Sequence, residues 1–212
     1  MKTFPKISLT GDLGSGKSHV SRLLCEKLGF RIVSTGGIQR ELAAKYNMTT
    51  LELNEYTKTH PEIDDEIDGT ISKLQEAKES LIFDSRLAWH FAPKSFKIYL
   101  TVDIDEAARR IFYDKRTSEK YNNIEEAKNK ILARRKSELE RFKDYYNIDY
   151  SDLENYDLIV DTTEITPKEV SEKIIKAFIL WGEKKQMFKL RGSLCHTKRL
   201  HRELLRSHRQ PQ

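Results

Sequence analysis

Residues 11–18 read Gly-Asp-Leu-Gly-Ser-Gly-Lys-Ser and fit the pattern G-x-x-x-x-G-K-[ST]. The apolar run Ile7-Ser8-Leu9-Thr10 precedes them. The stretch Lys17–Leu28 follows, with Val20, Leu23, Leu24 and Leu28 at helical spacing and Gly29 closing it. A strand, a glycine-rich turn and a helix in this order bring backbone N–H groups and the positive end of a helix to one point, which is a phosphate cradle. This arrangement strongly constrains the fold, because the strand that feeds such a loop sits inside a parallel sheet.

Further short apolar runs agree. Arg31–Ser34 ends at Gly36-Gly37, Leu81-Ile82-Phe83 ends at Asp84, and Ile98–Val102 and Leu158-Ile159-Val160 follow. Helical patterns separate them at Ile38–Tyr46, Thr50–Leu53, Pro61–Glu79, Ile104–Tyr113, Ile124–Asn147 and Thr166–Trp181. In the third of these, Ile63, Ile67, Ile71 and Leu74 share one face. Five apolar strands alternating with helices predict an α/β three-layer sandwich around a five-stranded parallel sheet. A chain of 212 residues suits one such domain.

The net charge of +5 raises the question of nucleic acid, and the distribution of charge answers it. Of 38 Lys/Arg and 33 Asp/Glu, 9 and 2 lie in 183–212, leaving 29 and 31 in 1–182. The expected division is therefore a folded domain over 1–182 and a basic, flexible tail over 183–212. Nucleic acid would bind only through that tail, and a tail without a partner is the simpler expectation. No apolar run is long enough to span a membrane, and the N-terminus lacks an apolar signal region. Cys25 and Cys195 suggest neither a metal site nor a disulfide. A reducing, cytoplasmic setting and a monomer are expected.

The loop residues Gly11, Asp12, Leu13, Gly14, Ser15, Gly16, Lys17 and Ser18, with His19 beyond them, are expected to hold ATP. Lys17 would reach the β- and γ-phosphates, and the Ser18 hydroxyl would serve Mg²⁺. Asp12 is out of place beside a triphosphate unless it points outward or serves another group, and a solvent-facing turn residue is the expectation. His19, His60 and His90 form no spaced cluster and read as structural.

Arginines indicate what is done with the nucleotide. Arg40 follows the second strand and Arg86 the third, so both fall at the carboxyl edge of a parallel sheet, where ligands bind. Two arginines there can grip an acceptor phosphate through forked hydrogen bonds. Arg109, Arg110 and Arg116 stand before the polar insert Thr117–Glu126, with Arg134, Arg135 and Arg141 after it. The insert reads as a lid. Arg116, Arg134 and Arg141 are the candidates for neutralising a phosphoryl group in transfer, a role worth roughly 10³–10⁵ in rate. The competing reading is a solvated face of Glu/Arg pairs, such as Glu138 with Arg134 or Arg141. Asp84 could act as a base, orient Mg²⁺ through water, or brace Arg40.

Several separated segments together resemble the short, archaeal-type cytidylate kinases, members of the P-loop nucleoside monophosphate kinases. They are GDLGSGKS, VSTGGIQRELA at 33–43, HPEIDDEID at 60–68, DSRLAWH at 84–90 and ARRKSELERFKDYYNIDYSDLENYDLIVDTT at 133–163. The resemblance implies transfer of the ATP γ-phosphate to CMP or dCMP with Mg²⁺. It also implies an acceptor insert over about 35–80 and a lid over about 111–135. It assigns the acceptor to Arg40 and Arg86 and the lid arginines to Arg116, Arg134 and Arg141. It suggests a base contact from one of Asp64, Asp65 and Asp68, with Asp65 preferred. The chain departs from the family pattern at Asp12-Leu13, where two prolines are usual, at Ser85, where glycine is usual, and at His90, where a small residue is usual. Other acceptors (adenylate, shikimate, a nucleoside) remain alternatives. So does a non-kinase ATPase subunit of a tRNA-modifying complex, whose P-loop has a similar form.

Overall fold

The computed structural model describes residues 4–48, 52, 53, 56, 60, 62–114 and 121–184, without the side chain of Asp64. Arg116, residues 50 and 51 of the short helix expected at 50–53, the start of the polar insert and the tail beyond 184 lie outside these residues. The chain divides into two compact units, Met1–Glu172 and Lys173–Gln212. The described part of the second, 173–184, is helical.

The first unit is built on a parallel sheet of β1 (Lys6–Gly11), β2 (Arg31–Ser34), β3 (Leu81–Asp84), β4 (Phe96–Thr101) and β5 (Leu158–Asp161), in the order β2-β3-β1-β4-β5. Successive residues of β1, from Ile7 through Thr10, are all buried, so both faces of the sheet are covered. The polar residues inside are satisfied. Ser8 Oγ accepts from Ser95 Oγ at 2.9 Å, and Thr10 Oγ1 donates to the Ser85 carbonyl at 3.1 Å.

Between the strands run α1 (Lys17–Leu28), α2 (Thr35–Lys45), α3 (Glu62–Gln75), the short α4 (Ala88–Phe91), α5 (Ile104–Tyr113) and α6 (Ile124–Tyr146). Each strand and long helix expected within the described residues is present, with shifted ends. Gly36-Gly37 were expected to close a strand. Instead they lie in the first turn of α2, because Ser34 caps that helix by accepting the Gly37 N–H at 3.0 Å. Helix α3 stops at Gln75 rather than Glu79. The Lys6 ammonium donates to the carbonyls of Ala77 (2.9 Å) and Glu79 (2.5 Å), turning the chain toward β3. Helix α4 was not foreseen, since four residues are too few to carry a period. Among the described residues no helix is long and apolar enough to cross a membrane.

The strand order sets the position of the site. β1 is central, so the loop after it lies in the middle of the carboxyl edge. The loops after β2 and β3 flank it on one side, and those after β4 and β5 on the other.

Candidate active site

The loop from Gly11 to Ser18 is held by its neighbours. Gly14 and Gly16 have φ of 80° and 81°, a region open to glycine. A Cβ on Gly14 would come within 2.8 Å of the Ala107 backbone, so α5 packs directly on the loop. Ser15 closes the turn by donating Oγ–H to the Asp12 carbonyl at 2.8 Å. Arg110 ties the loop to the end of β5. Its guanidinium donates to the Gly14 carbonyl at 3.3 Å and to the carbonyls of Thr162 and Thr163 at 2.7 and 2.9 Å.

Asp12 does not face solvent, contrary to expectation. It accepts the hydroxyl proton of buried Tyr99 at 2.8 Å and pairs with Arg135 of α6 at 3.3 Å. Its charge is thus directed away from the phosphate cradle. Sequence spacing gave no sign of this, because Tyr99 and Arg135 are brought to Asp12 only by the sheet order.

Lys17 stands between two groups of charges. Its Nζ lies 4.0 Å from Asp84 Oδ1. Burial, together with the nearby Arg86, pushes its ammonium down to about 8, against the pull of Asp84 and Glu138. Asp84 also takes a long hydrogen bond from Ser21 Oγ at 3.5 Å. Arg86 is locked. Its Nε donates to Glu138 at 2.9 Å, its Nη1 donates to the Gly11 carbonyl, and the ring of Tyr150 lies beneath it at 5.7 Å. Arg134 holds the other oxygen of Glu138 at 3.0 Å. Burial alone would raise the Glu138 carboxyl, but the two arginines outweigh it and hold it below the usual range.

Two cavities open on this edge and share Lys17 and Leu13. One, about 750 Å³, is lined by the phosphate loop, by α5 residues including Arg109 and Arg110, and by 162–167 after β5. The other, about 390 Å³, is lined by Thr35 and Gly36 after β2, Asp84 to Leu87 after β3, and one stripe of α6 from Arg134 to Tyr146. The Thr35 hydroxyl is buried here without a hydrogen-bond partner, a residue that sequence reasoning passed over. A cradle for phosphates on one side of Lys17, and a charged cleft with an unsatisfied hydroxyl on the other, can hold a donor and an acceptor with one lysine between them.

The expected site residues divide accordingly. Asp12 to Ser18 and His19 line the first cavity, Gly11 is outside its lining, and Lys17, Asp84, Arg86, Arg134 and Arg141 line the second. Arg40 is not in the lining. It is exposed, with Nη1 3.6 Å from the point a Cβ on Gly36 would occupy. Asp84 therefore meets Ser21 and Lys17 rather than Arg40. Asp65 is also displaced. It is exposed on α3, and Asp68 lines the cavity instead, accepting the Tyr146 hydroxyl at 2.6 Å. The Glu138–Arg134 pair is present but, with Arg86 on its other oxygen, forms part of the cavity wall rather than a solvated face. His90 packs between the rings of Trp89 and Phe91, with burial lowering its pKa, and His60 stacks on Tyr56 at 3.6 Å.

The family model described as the cytidylate kinase-like family matches residues 6–164. The chain belongs to the cytidylate kinase-like family. It is a nucleoside monophosphate kinase with the P-loop kinase fold. Its family relatives include a cytidylate kinase of Methanothermobacter thermautotrophicus, 35% identical over 156 residues, covering 74% of this chain and 94% of the relative. Another relative, an S-adenosylmethionine-dependent nucleotide dehydratase of Lacinutrix mariniflava, is 37% identical over 180 residues. That match covers 84% of this chain, which spans about a third (36%) of that protein's length. Among solved structures, shikimate kinase from Acinetobacter baumannii in complex with shikimate aligns with a TM-score of 0.55 at 20% identity, over 84% of this chain and 94% of the other. That likeness concerns the fold alone.

Proposed function

We propose that this family member transfers the γ-phosphoryl group of ATP to CMP or dCMP, yielding ADP and the corresponding diphosphate. The observation that carries the reading is the meeting of the two cavities at Lys17. ATP would lie in the larger one, its phosphates on the N–H groups of the loop and on the N-terminus of α1. The acceptor would lie in the smaller one, its phosphate toward Arg86, Arg134 and Arg141.

An acceptor phosphate oxygen, already ionised at neutral pH, attacks the γ-phosphorus as the bond to the β-phosphate bridging oxygen breaks and ADP leaves. No general base is required. The Lys17 ammonium would share the charge of the leaving and attacking oxygens. Arg134, exposed on α6, would add positive charge to the transferring group. Arg116 keeps the role that the family resemblance implies for it, and Arg40 has the weakest claim of the acceptor set.

Asp84 and the Ser18 hydroxyl offer oxygen donors beside Lys17, a hard donor set that fits Mg²⁺. Such an ion would be held largely by phosphates and water. When bound, Mg²⁺ would neutralise phosphate charge.

An ADP-release assay with Mg²⁺-ATP and CMP, dCMP, UMP, AMP, GMP or shikimate tests the reading. Turnover confined to CMP and dCMP supports it, and turnover with shikimate alone rejects it. The dehydratase relative favours a second reading of the product: the phosphorylated nucleotide would feed a nucleotide-consuming reaction in the same cell. Nucleotide supply of that kind requires the same kinase activity.

A further inference from the structure

Glu138 of α6 is a carboxylate in the wall of a cavity otherwise suited to an anion. It shares the smaller cavity with Lys17, Arg86, Arg134 and Arg141. Its negative charge works against an acceptor phosphate there, so attraction for the substrate does not account for it. Its contacts point to orientation instead. Oε2 accepts from Arg86 Nε at 2.9 Å and from the Tyr150 hydroxyl at 3.4 Å. Oε1 accepts from Arg134 Nε at 3.0 Å. Two guanidiniums that repel each other are thus held to one carboxylate.

Both arginines are gripped by their Nε, and that choice decides what is left for a ligand. A guanidinium presents its N–H donors in a fixed fork, so holding one edge aims the other. With Nε on Glu138, the two Nη groups of Arg134 remain. Arg86 also gives Nη1 to the Gly11 carbonyl and lies over the ring of Tyr150, so Nη2 is the group those contacts leave. Arg86 is therefore fixed from three sides. Arg134 is 58% exposed, and Glu138 is the contact that directs it.

We propose that Glu138 is a positioning residue for phosphoryl transfer: its two oxygens set Arg86 for the acceptor phosphate and Arg134 for the transferring group. It acts through the arginines and touches no substrate. The proposal rests on the nucleoside monophosphate reading of the smaller cavity given above, but not on which base the acceptor carries.

The test is kcat and KM for the nucleoside monophosphate that wild type phosphorylates fastest, with KM for ATP. The full chain is used as wild type, Glu138→Gln, Glu138→Ala, Arg134→Ala and the double variant Glu138→Gln with Arg134→Ala. Glutamine has one acceptor oxygen, and its amino group would meet the second guanidinium donor to donor. The largely buried Arg86 loses more by going unpaired than the exposed Arg134, so the oxygen stays with Arg86. Glu138→Gln is therefore expected to lower kcat by about 10- to 100-fold while KM for the acceptor moves by less than about threefold. Arg134→Ala should lower kcat at least as much. The double variant should match Arg134→Ala to within about twofold, because no Arg134 is left to place. Glu138→Ala frees both arginines and should raise KM for the acceptor as well. Should that variant fail to fold, the isosteric Glu138→Gln and the exposed Arg134→Ala carry the test. KM for ATP stays within about twofold throughout, whereas a merely structural defect would move it.

A wild-type kcat in Glu138→Gln or in Arg134→Ala overturns the proposal. So does the same fold loss from Glu138→Gln with and without Arg134, or a loss that moves KM for ATP equally. A wild type that phosphorylates no nucleoside monophosphate overturns the reading on which the proposal stands.

Discussion

Glu138 of α6 and Arg86 after β3 are joined at 2.9 Å in the wall of the smaller cavity, and each side chain is only 15% exposed. The pair therefore fixes α6 against the sheet edge close to Lys17. Glu138→Ala removes the partner of a largely buried guanidinium and is expected to cost about 1–3 kcal/mol in urea denaturation at pH 7. Because the arginines hold the carboxyl below its usual range, its contribution is complete above about pH 4.5 and is lost as pH falls through the lowered value. The difference between variant and wild type should shrink under acid conditions.

Lys17 makes the opposite kind of prediction. Its ammonium is pushed down to about 8, so the free enzyme loses that charge as pH rises through 8. The kcat/KM for ATP should decline above about pH 8 with a single titration. The same shift means that folding disfavours the protonated amine at neutral pH and that the cost is relieved between pH 8 and the ordinary value of 10.5. Lys17→Met should therefore lower turnover at least about 100-fold while raising the urea midpoint at pH 7, with that gain fading by pH 10.

Asp12 supports Tyr99 rather than the phosphates. Asp12→Ala leaves a buried hydroxyl without its acceptor, and a loss of about 1–3 kcal/mol is expected. In a Tyr99→Phe background the same substitution should cost distinctly less, and the difference, read as a double-mutant cycle, is the worth of the hydrogen bond.

Two glycines should respond in opposite directions. Gly14→Ala combines φ of 80° with a Cβ about 2.8 Å from Ala107, and should lower stability by about 1–3 kcal/mol and raise KM for ATP. Gly69 lies within α3 with open space around its Cβ position, so Gly69→Ala should stabilise by about 0.5–1 kcal/mol. Thermal melts of the two variants check both.

The strands and the phosphate loop were legible because each is a local pattern: an apolar run, glycines at fixed offsets, a lysine. What lay between them was not. The strand order assigns the loops after β2 and β3 to one cavity and those after β4 and β5 to the other, and no single-chain period encodes that order. Asp12 was misread for this reason, since its partners come from β4 and α6. Asp65 is a different case. At 100° per residue it lies opposite the stripe of Ile63, Ile67 and Ile71, while Asp68 lies at the stripe's edge. The signal that distinguishes them was present in the sequence. Arg40 shows the limit of placing a residue by its distance from a strand, because it sits on a helix that begins at Thr35 and is exposed outside the cavity lining.

Two substrates are expected to meet at Lys17, with a phosphoryl group passing between them. The most direct measurement follows ATP and CMP together by ³¹P NMR with Mg²⁺, using wild type and Arg86→Ala. Wild type should convert the pair to ADP and CDP in equal amounts. Arg86→Ala should raise KM for CMP or reduce turnover by at least about tenfold with KM for ATP little changed. ADP formed with inorganic phosphate and without CDP, or no ATP consumption at all, would contradict the account.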